Sequence, residues 1–136
     1  MGKRKILFLC TGNSCRSQMA EGFAHEIGWN AYSAGTRPEI EVNPFAVKVM
    51  EEMGIDIAGH VPEPISNYLD KDFDIVVTVC NNAREACPVF TGSCKQQIHN
   101  GFIDPADAAG SDAEITKVYR QVRDEIQVWV TELTEL

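Results

Sequence analysis

No stretch of this chain approaches the roughly 18 consecutive apolar residues that a membrane-spanning helix requires. The basic run Lys3-Arg4-Lys5 precedes only four apolar residues, 6–9, too few for the core of a secretory signal. Basic residues are scarce overall: 12 Lys and Arg stand against 20 Asp and Glu, a formal net charge of −8. That balance argues against nucleic acid and acidic membranes as partners. Internal repeats, low-complexity tracts and linkers are missing, so 1–136 reads as one domain. The five cysteines are odd in number, and Cys80, Cys87 and Cys94 lack tight C-x2–4-C spacing, with His99 the only nearby imidazole. This argues against zinc and against a fixed disulfide frame. The absences together predict a cytoplasmic protein whose thiols are reduced at rest.

What is present is an ordinary core-forming composition, 44% hydrophobic and 24% charged, with strand and helix patterns in alternation. Residues 6–9 and 73–79 are nearly continuous apolar runs, as buried parallel strands should be. Residues 31–34 and 98–103 read as two further strands. The intervals 17–27, from Asn43-Pro44 to Gly54, and from Ser111 onward read as helices. Asn43 before Pro44 is an N-cap followed by proline at the first helical position. Ser111-Asp112-Ala113-Glu114 is a capping box. Met19, Phe23 and Ile27 form the expected inner stripe of the first helix, and Ala46, Val49, Met50 and Met53 that of the second. The fold class expected is a single-domain α/β three-layer sandwich, a four-stranded parallel sheet flanked by helices.

The first strand runs straight into Cys10-Thr11-Gly12-Asn13-Ser14-Cys15-Arg16-Ser17 and then into a helix. Successive N–H groups of a tight loop form a concave anion cradle, and the following helix aims its positive end at the same point. Gly12 and Asn13 tolerate the backbone angles such a loop needs. Arg16 can grip a tetrahedral oxyanion through two parallel hydrogen bonds. Cys10 then lies at the floor of an electropositive cup, where a thiol ionises readily and becomes a nucleophile.

Two more features fall beyond strand ends, where ligands bind in such sheets. Cys80, Cys87 and Cys94 lie seven residues apart. Seven helical residues rise about 10 Å, whereas a disulfide needs Cα atoms within about 7 Å. Asn81-Asn82 and Pro88 weaken a helix here, so the segment can be helical when reduced and looped out when oxidised. Asp104, followed by Pro105, is placed to overhang Cys10 and protonate a leaving oxygen.

Taken together, the 10–17 loop with Gln18-Met19-Ala20-Glu21, Tyr32-Ser33-Ala34-Gly35, Asn43-Pro44, Cys80-x6-Cys87-Pro88 and Asp104-Pro105 resemble the thioredoxin-coupled arsenate reductases, which share the low-molecular-weight protein tyrosine phosphatase fold. The resemblance implies that Cys10 is the nucleophile. It implies that Arg16 and the amides of Thr11, Gly12, Asn13, Ser14, Cys15 and Ser17 hold the oxyanion, and that Asp104 is the general acid. Cys80 and Cys87 become a redox relay emptied by thioredoxin, with phosphate or sulfate as competing anions and the protein a monomer. No cofactor is obligatory. Some members bind potassium beside the loop, and the matching positions are Asn13, Glu21 and Ser33, with Glu63 where Asp is frequent. Cys94 receives no role.

Three other functions compete. A low-molecular-weight tyrosine phosphatase would use the same loop. Such enzymes typically place an aromatic residue after Asp-Pro, where this chain has Ala106, and need no relay thiols. Weak phosphatase turnover is expected as a side reaction. A non-catalytic redox-sensing, anion-binding regulator would need no general acid. A reductase fed by glutathione would not need an in-chain resolving Cys87.

Overall fold

The computed structural model describes residues 4–81 and 87–134. Its elements are β1 (Lys5–Cys10), α1 (Arg16–Glu26), β2 (Asn30–Gly35), α2 (Pro44–Glu51), β3 (Asp72–Thr78), β4 (Ser93–His99) and α3 (Asp112–Thr134), with short 3-10 turns at Ile65–Asn67 and Pro105–Asp107. The four strands form one sheet in the order β2-β1-β3-β4, and every pairing is parallel. β1 and β3 are central and buried on both faces, which is why their sequences are continuous apolar runs.

The side chains of β1 divide between two clusters. Ile6, Phe8 and Cys10 face α1, α2 and α3 and join Met19, Phe23, Val49, Met50, Val122 and Ile126. Leu7 and Leu9 face the other way and join Ala34, Tyr68, Phe73, Val76 and Phe90. The second cluster is closed by the segments around the Ile65–Asn67 turn and Phe90 rather than by a long helix. Its aromatics meet edge-on, with Phe73 5.9 Å from Phe90 and 5.8 Å from Tyr32.

The helix starts follow their sequence signals. Asn43 Oδ1 accepts the Phe45 N–H at 2.9 Å. At α3, Ser111 Oγ accepts the Glu114 N–H at 3.2 Å, and Glu114 Oε1 accepts the Ser111 N–H at 3.2 Å, a closed capping box. Arg123, buried in α3, donates to the Val49 carbonyl at 2.9 Å and to Glu52 at 2.7 Å, tying α3 to the end of α2.

Three sequence expectations shift. β4 occupies Ser93–His99 rather than 98–103. It is a polar edge strand, and its pairing with β3 overrides a weak apolar signal. Cys94 therefore sits on a strand opposite Phe73. Ile27 and Met53 are 48% and 40% exposed, because α1 ends at Glu26 and α2 at Glu51, before either reaches the inner stripe.

Candidate active site

β1 delivers Cys10 to the carboxyl edge of the sheet, and α1 begins at Arg16. The five residues between wrap into a loop. Asn13 sits at φ 53°, in the left-handed region, and carries the conformation that lets the chain reverse. Its side chain locks that turn. Asn13 Nδ2 donates to Ser17 Oγ at 2.8 Å and to Ser33 Oγ at 2.9 Å, while Oδ1 accepts the Glu63 N–H at 2.9 Å. The end of β2 approaches so closely that a Cβ on Gly35 would collide with the Thr11 carbonyl and stand 3.0 Å from the Asn13 nitrogen. Only glycine fits there. Cys15, at the N-cap of α1, makes no side-chain capping bond, so its side chain satisfies none of the first N–H groups of the helix.

Cys10 is buried at the base of this loop. Its Sγ lies 2.9 Å from Ser17 Oγ and accepts the Asn13 N–H at 3.2 Å. Burial pushes the Cys10 thiol up from its ordinary range. The Ser17 hydroxyl, the Arg16 charge and the Asn13 amide pull it back, without cancelling the rise. The electropositive cup expected from sequence is thus opposed by desolvation, the larger effect. Cys15, also buried, is pushed up to about 11 by burial despite its contact with the Tyr119 hydroxyl at 3.4 Å.

Arg16 is 3% exposed. One Nη donates to the Phe102 carbonyl at 3.1 Å, and the other lies 3.5 Å from Asp104 Oδ2. The Asp104 carboxylate also caps the following turn, accepting the Ala106 N–H at 3.0 Å. Cys10, Thr11, Gly12, Asn13, Ser14, Cys15, Arg16 and Asp104 line one cavity of about 400 Å³. Arg37, Glu39, Ala106 and Asp107 complete the wall. The sequence carries no motif that marks Arg37, Glu39 or Asp107 as cavity residues.

Cys80 is joined to Cys87 by a disulfide, with Cα atoms 5.8 Å apart. Cys80 is fully buried and does not line the cavity. It is nonetheless close to the strand that carries Cys10: the Val79 N–H donates to the Leu9 carbonyl at 2.9 Å, and Cys10 and Cys80 belong to one packed cluster, with Cys87 against it. The helix-or-loop question for the interval falls on residues 82–86, outside the described residues. Cys10, Cys15 and Cys94 are free thiols.

The residues matched to a potassium site do meet. Ser33 Oγ donates to Glu21 Oε1 at 2.7 Å and accepts from Asn13 Nδ2. Their donor types suit an alkali cation, but their arrangement does not. Asn13 turns its nitrogen, not its oxygen, to Ser33, and its Oδ1 is taken by Glu63 N–H and by Gln18 Nε2 at 3.2 Å. The Glu63 carboxylate is held by the Tyr68 hydroxyl. No buried side-chain nitrogen or oxygen among the described residues lacks a partner. The set is closed by its own hydrogen bonds. Burial pushes Glu21 up to about 7. Its Oε2 lies 3.1 Å from His60 Nδ1, which is also 2.9 Å from Gln18 Oε1. That amide oxygen can only accept, so Nδ1 carries the hydrogen. Neither Gln18 nor His60 carried a sequence signal for this role.

The family described as low molecular weight phosphotyrosine protein phosphatase matches residues 5–136. A protein of Halalkalibacterium halodurans described as arsenate reductase is 51% identical over 93% of this chain and 91% of its own length. A solved arsenate reductase in an oxidized state superposes with a TM-score of 0.79 at 32% identity, covering 96% of this chain and 95% of that one. An arsenate reductase in a phosphate-binding state gives 0.75 at 33% identity, covering 96% and 95%.

Proposed function

The chain belongs to the low molecular weight phosphotyrosine protein phosphatase family, and we propose that within it this protein is an arsenate reductase that discharges its electrons through a disulfide relay. The observation that carries the reading is the Cys80–Cys87 disulfide standing beside a free Cys10. A hydrolase needs no such pair.

Arsenate enters the loop, where the amides of residues 11–17 and the Arg16 guanidinium hold its oxygens. Ser17 and Asn13 stabilise the Cys10 thiolate, which attacks arsenic while Asp104 protonates the departing oxygen as water. The product is a cysteine-bound As(V) adduct. A Cys80 thiolate then attacks the Cys10 sulfur. The S–As bond breaks, and its electron pair stays on arsenic, which leaves as arsenite, As(III). Cys87 attacks Cys80, releases Cys10 as thiolate and closes Cys80–Cys87. Closing one disulfide yields two electrons, the number that As(V) requires. The resulting pair is reopened by thioredoxin, and phosphate and sulfate compete for the loop.

Bringing the Cys80 sulfur to Cys10 and then to Cys87 requires the segment following β3 to rearrange. On this reading the protein is a cytoplasmic monomer. No helix among the described residues is long and apolar enough to cross a membrane. Ala106, after Asp104-Pro105, offers no ring to flank an aryl phosphate, so phosphatase turnover is at most a side reaction. The test is NADPH consumption in the presence of thioredoxin and its reductase. Arsenate should support repeated turnover and phosphate none; equal rates with and without arsenate would refute the assignment.

A further inference from the structure

We propose that Arg37 and Glu39 set the affinity of the cavity for its oxyanion through opposed charges at its mouth, Arg37 drawing the anion in and Glu39 restraining it. The inference rests on the reading of the 10–17 loop as an oxyanion site. It concerns residues outside that loop.

Both side chains belong to a strap of backbone that follows β2. Along it, the N–H groups of Thr36, Arg37, Glu39 and Asn43 donate to the carbonyls of Cys10, Thr11, Gly12 and Ser14 at 3.3, 2.9, 2.9 and 2.9 Å. The bonds occupy carbonyls on the outside of the loop, leaving its N–H groups for the hollow. They also fix the strap against the loop, so residues 37 and 39 are held at the rim instead of waving in solvent. Pro38 between them restricts the backbone further. The Glu39 side chain lies against the loop itself: its Cγ is 3.1 Å from where a Cβ on Gly12 would stand.

The charges that line the cavity are two cations, Arg16 and Arg37, and three carboxylates, Glu39, Asp104 and Asp107. Arg16 is buried and already faces Asp104 at 3.5 Å. Arg37 is exposed and makes no ion pair with another described residue. With a net charge of −8 on the whole chain, a dianion approaches against the field of the protein, and Arg37 is the cation it meets first. Arsenite is uncharged at neutral pH and gains nothing from Arg37. The same residue therefore favours substrate over product. Glu39 offsets part of that attraction, for arsenate and for spectator anions such as phosphate alike.

At about 6 Å in water, one unit charge acting on a dianion changes its binding about three- to tenfold, with the lower figure allowing for ordinary salt. The probe is inorganic phosphate, titrated calorimetrically into the full-length wild-type, Arg37→Gln, Arg37→Lys and Glu39→Gln proteins at low salt and at 1 M sodium chloride. Arg37→Gln should weaken phosphate binding about three- to tenfold at low salt, Arg37→Lys should restore most of it, and Glu39→Gln should tighten it by a similar factor. All three should fall within twofold of wild type at 1 M. Changes in the same direction for Arg37→Gln and Glu39→Gln, or changes that persist at 1 M, would overturn the proposal. Absence of phosphate binding by the wild type would instead overturn the oxyanion reading beneath it.

Discussion

The Sγ of Cys10 stands 2.9 Å from the Oγ of Ser17, and that hydroxyl is in turn held by Asn13 Nδ2 at 2.8 Å. With Nδ2 donating to it, the hydroxyl is free to turn its own hydrogen to the sulfur, which favours the thiolate. Ser17→Ala removes that donor and leaves the burial that opposes ionisation. The Cys10 pKa should rise further above its ordinary range. The measurement is the pH dependence of Cys10 alkylation by iodoacetamide, whose midpoint should move to higher pH; an unmoved midpoint would show that the hydroxyl does not serve the sulfur.

In the proposed reaction Asp104 protonates the departing oxygen. Asp104→Asn keeps an oxygen for the Ala106 N–H that caps the next turn, so the fold should survive. The first chemical step should slow by about a hundredfold or more. Single-turnover arsenite formation checks this, and a non-catalytic redox sensor would show no such dependence.

Two carboxylates should give the stability opposite pH slopes. Burial raises Glu21 to about 7, so between about pH 4.5 and 7 the unfolded chain gives up a proton that the folded chain keeps. Stability falls across that window by roughly 3 kcal/mol in total. Glu52 is held down at about 2, chiefly by Arg120 and also by Arg123. Its contribution is fully present above about pH 4.5 and is lost as pH falls toward 2, a smaller effect because the site is solvent-screened. Urea unfolding at a series of pH values should show the decline toward pH 7 in the wild type and a flatter profile in Glu21→Gln.

Gly35 leaves no room for a side chain between β2 and the Thr11 carbonyl. Gly35→Ala should cost at least about 2 kcal/mol in urea unfolding and should weaken phosphate binding by displacing the loop. A variant with wild-type stability would mean that the two backbones can separate freely.

The loop, its arginine and the acid were legible in sequence because each is local: a strand end, a tight turn, a helix start and an Asp-Pro. So were the caps at Asn43 and Ser111, whose partners lie two and three residues away. β4 was misplaced because an edge strand takes its register from β3 and not from its own apolar content. The parts played by Arg37, Glu39, Gln18 and His60 carry no sequence signal for a related reason. Their contributions arise from tertiary approach, the strap against the loop and the 60–63 segment against Asn13, and a single sequence carries no periodic or spacing signal for such contacts.

The relay is tested most directly by trapping it. Cys87→Ser cannot resolve the first disulfide, so full-length protein treated once with arsenate and digested without reductant should yield a peptide pair joined through Cys10 and Cys80, with one equivalent of arsenite released. Repeated turnover of that variant with thioredoxin, or the absence of any Cys10–Cys80 linkage after arsenite has formed, would contradict the account.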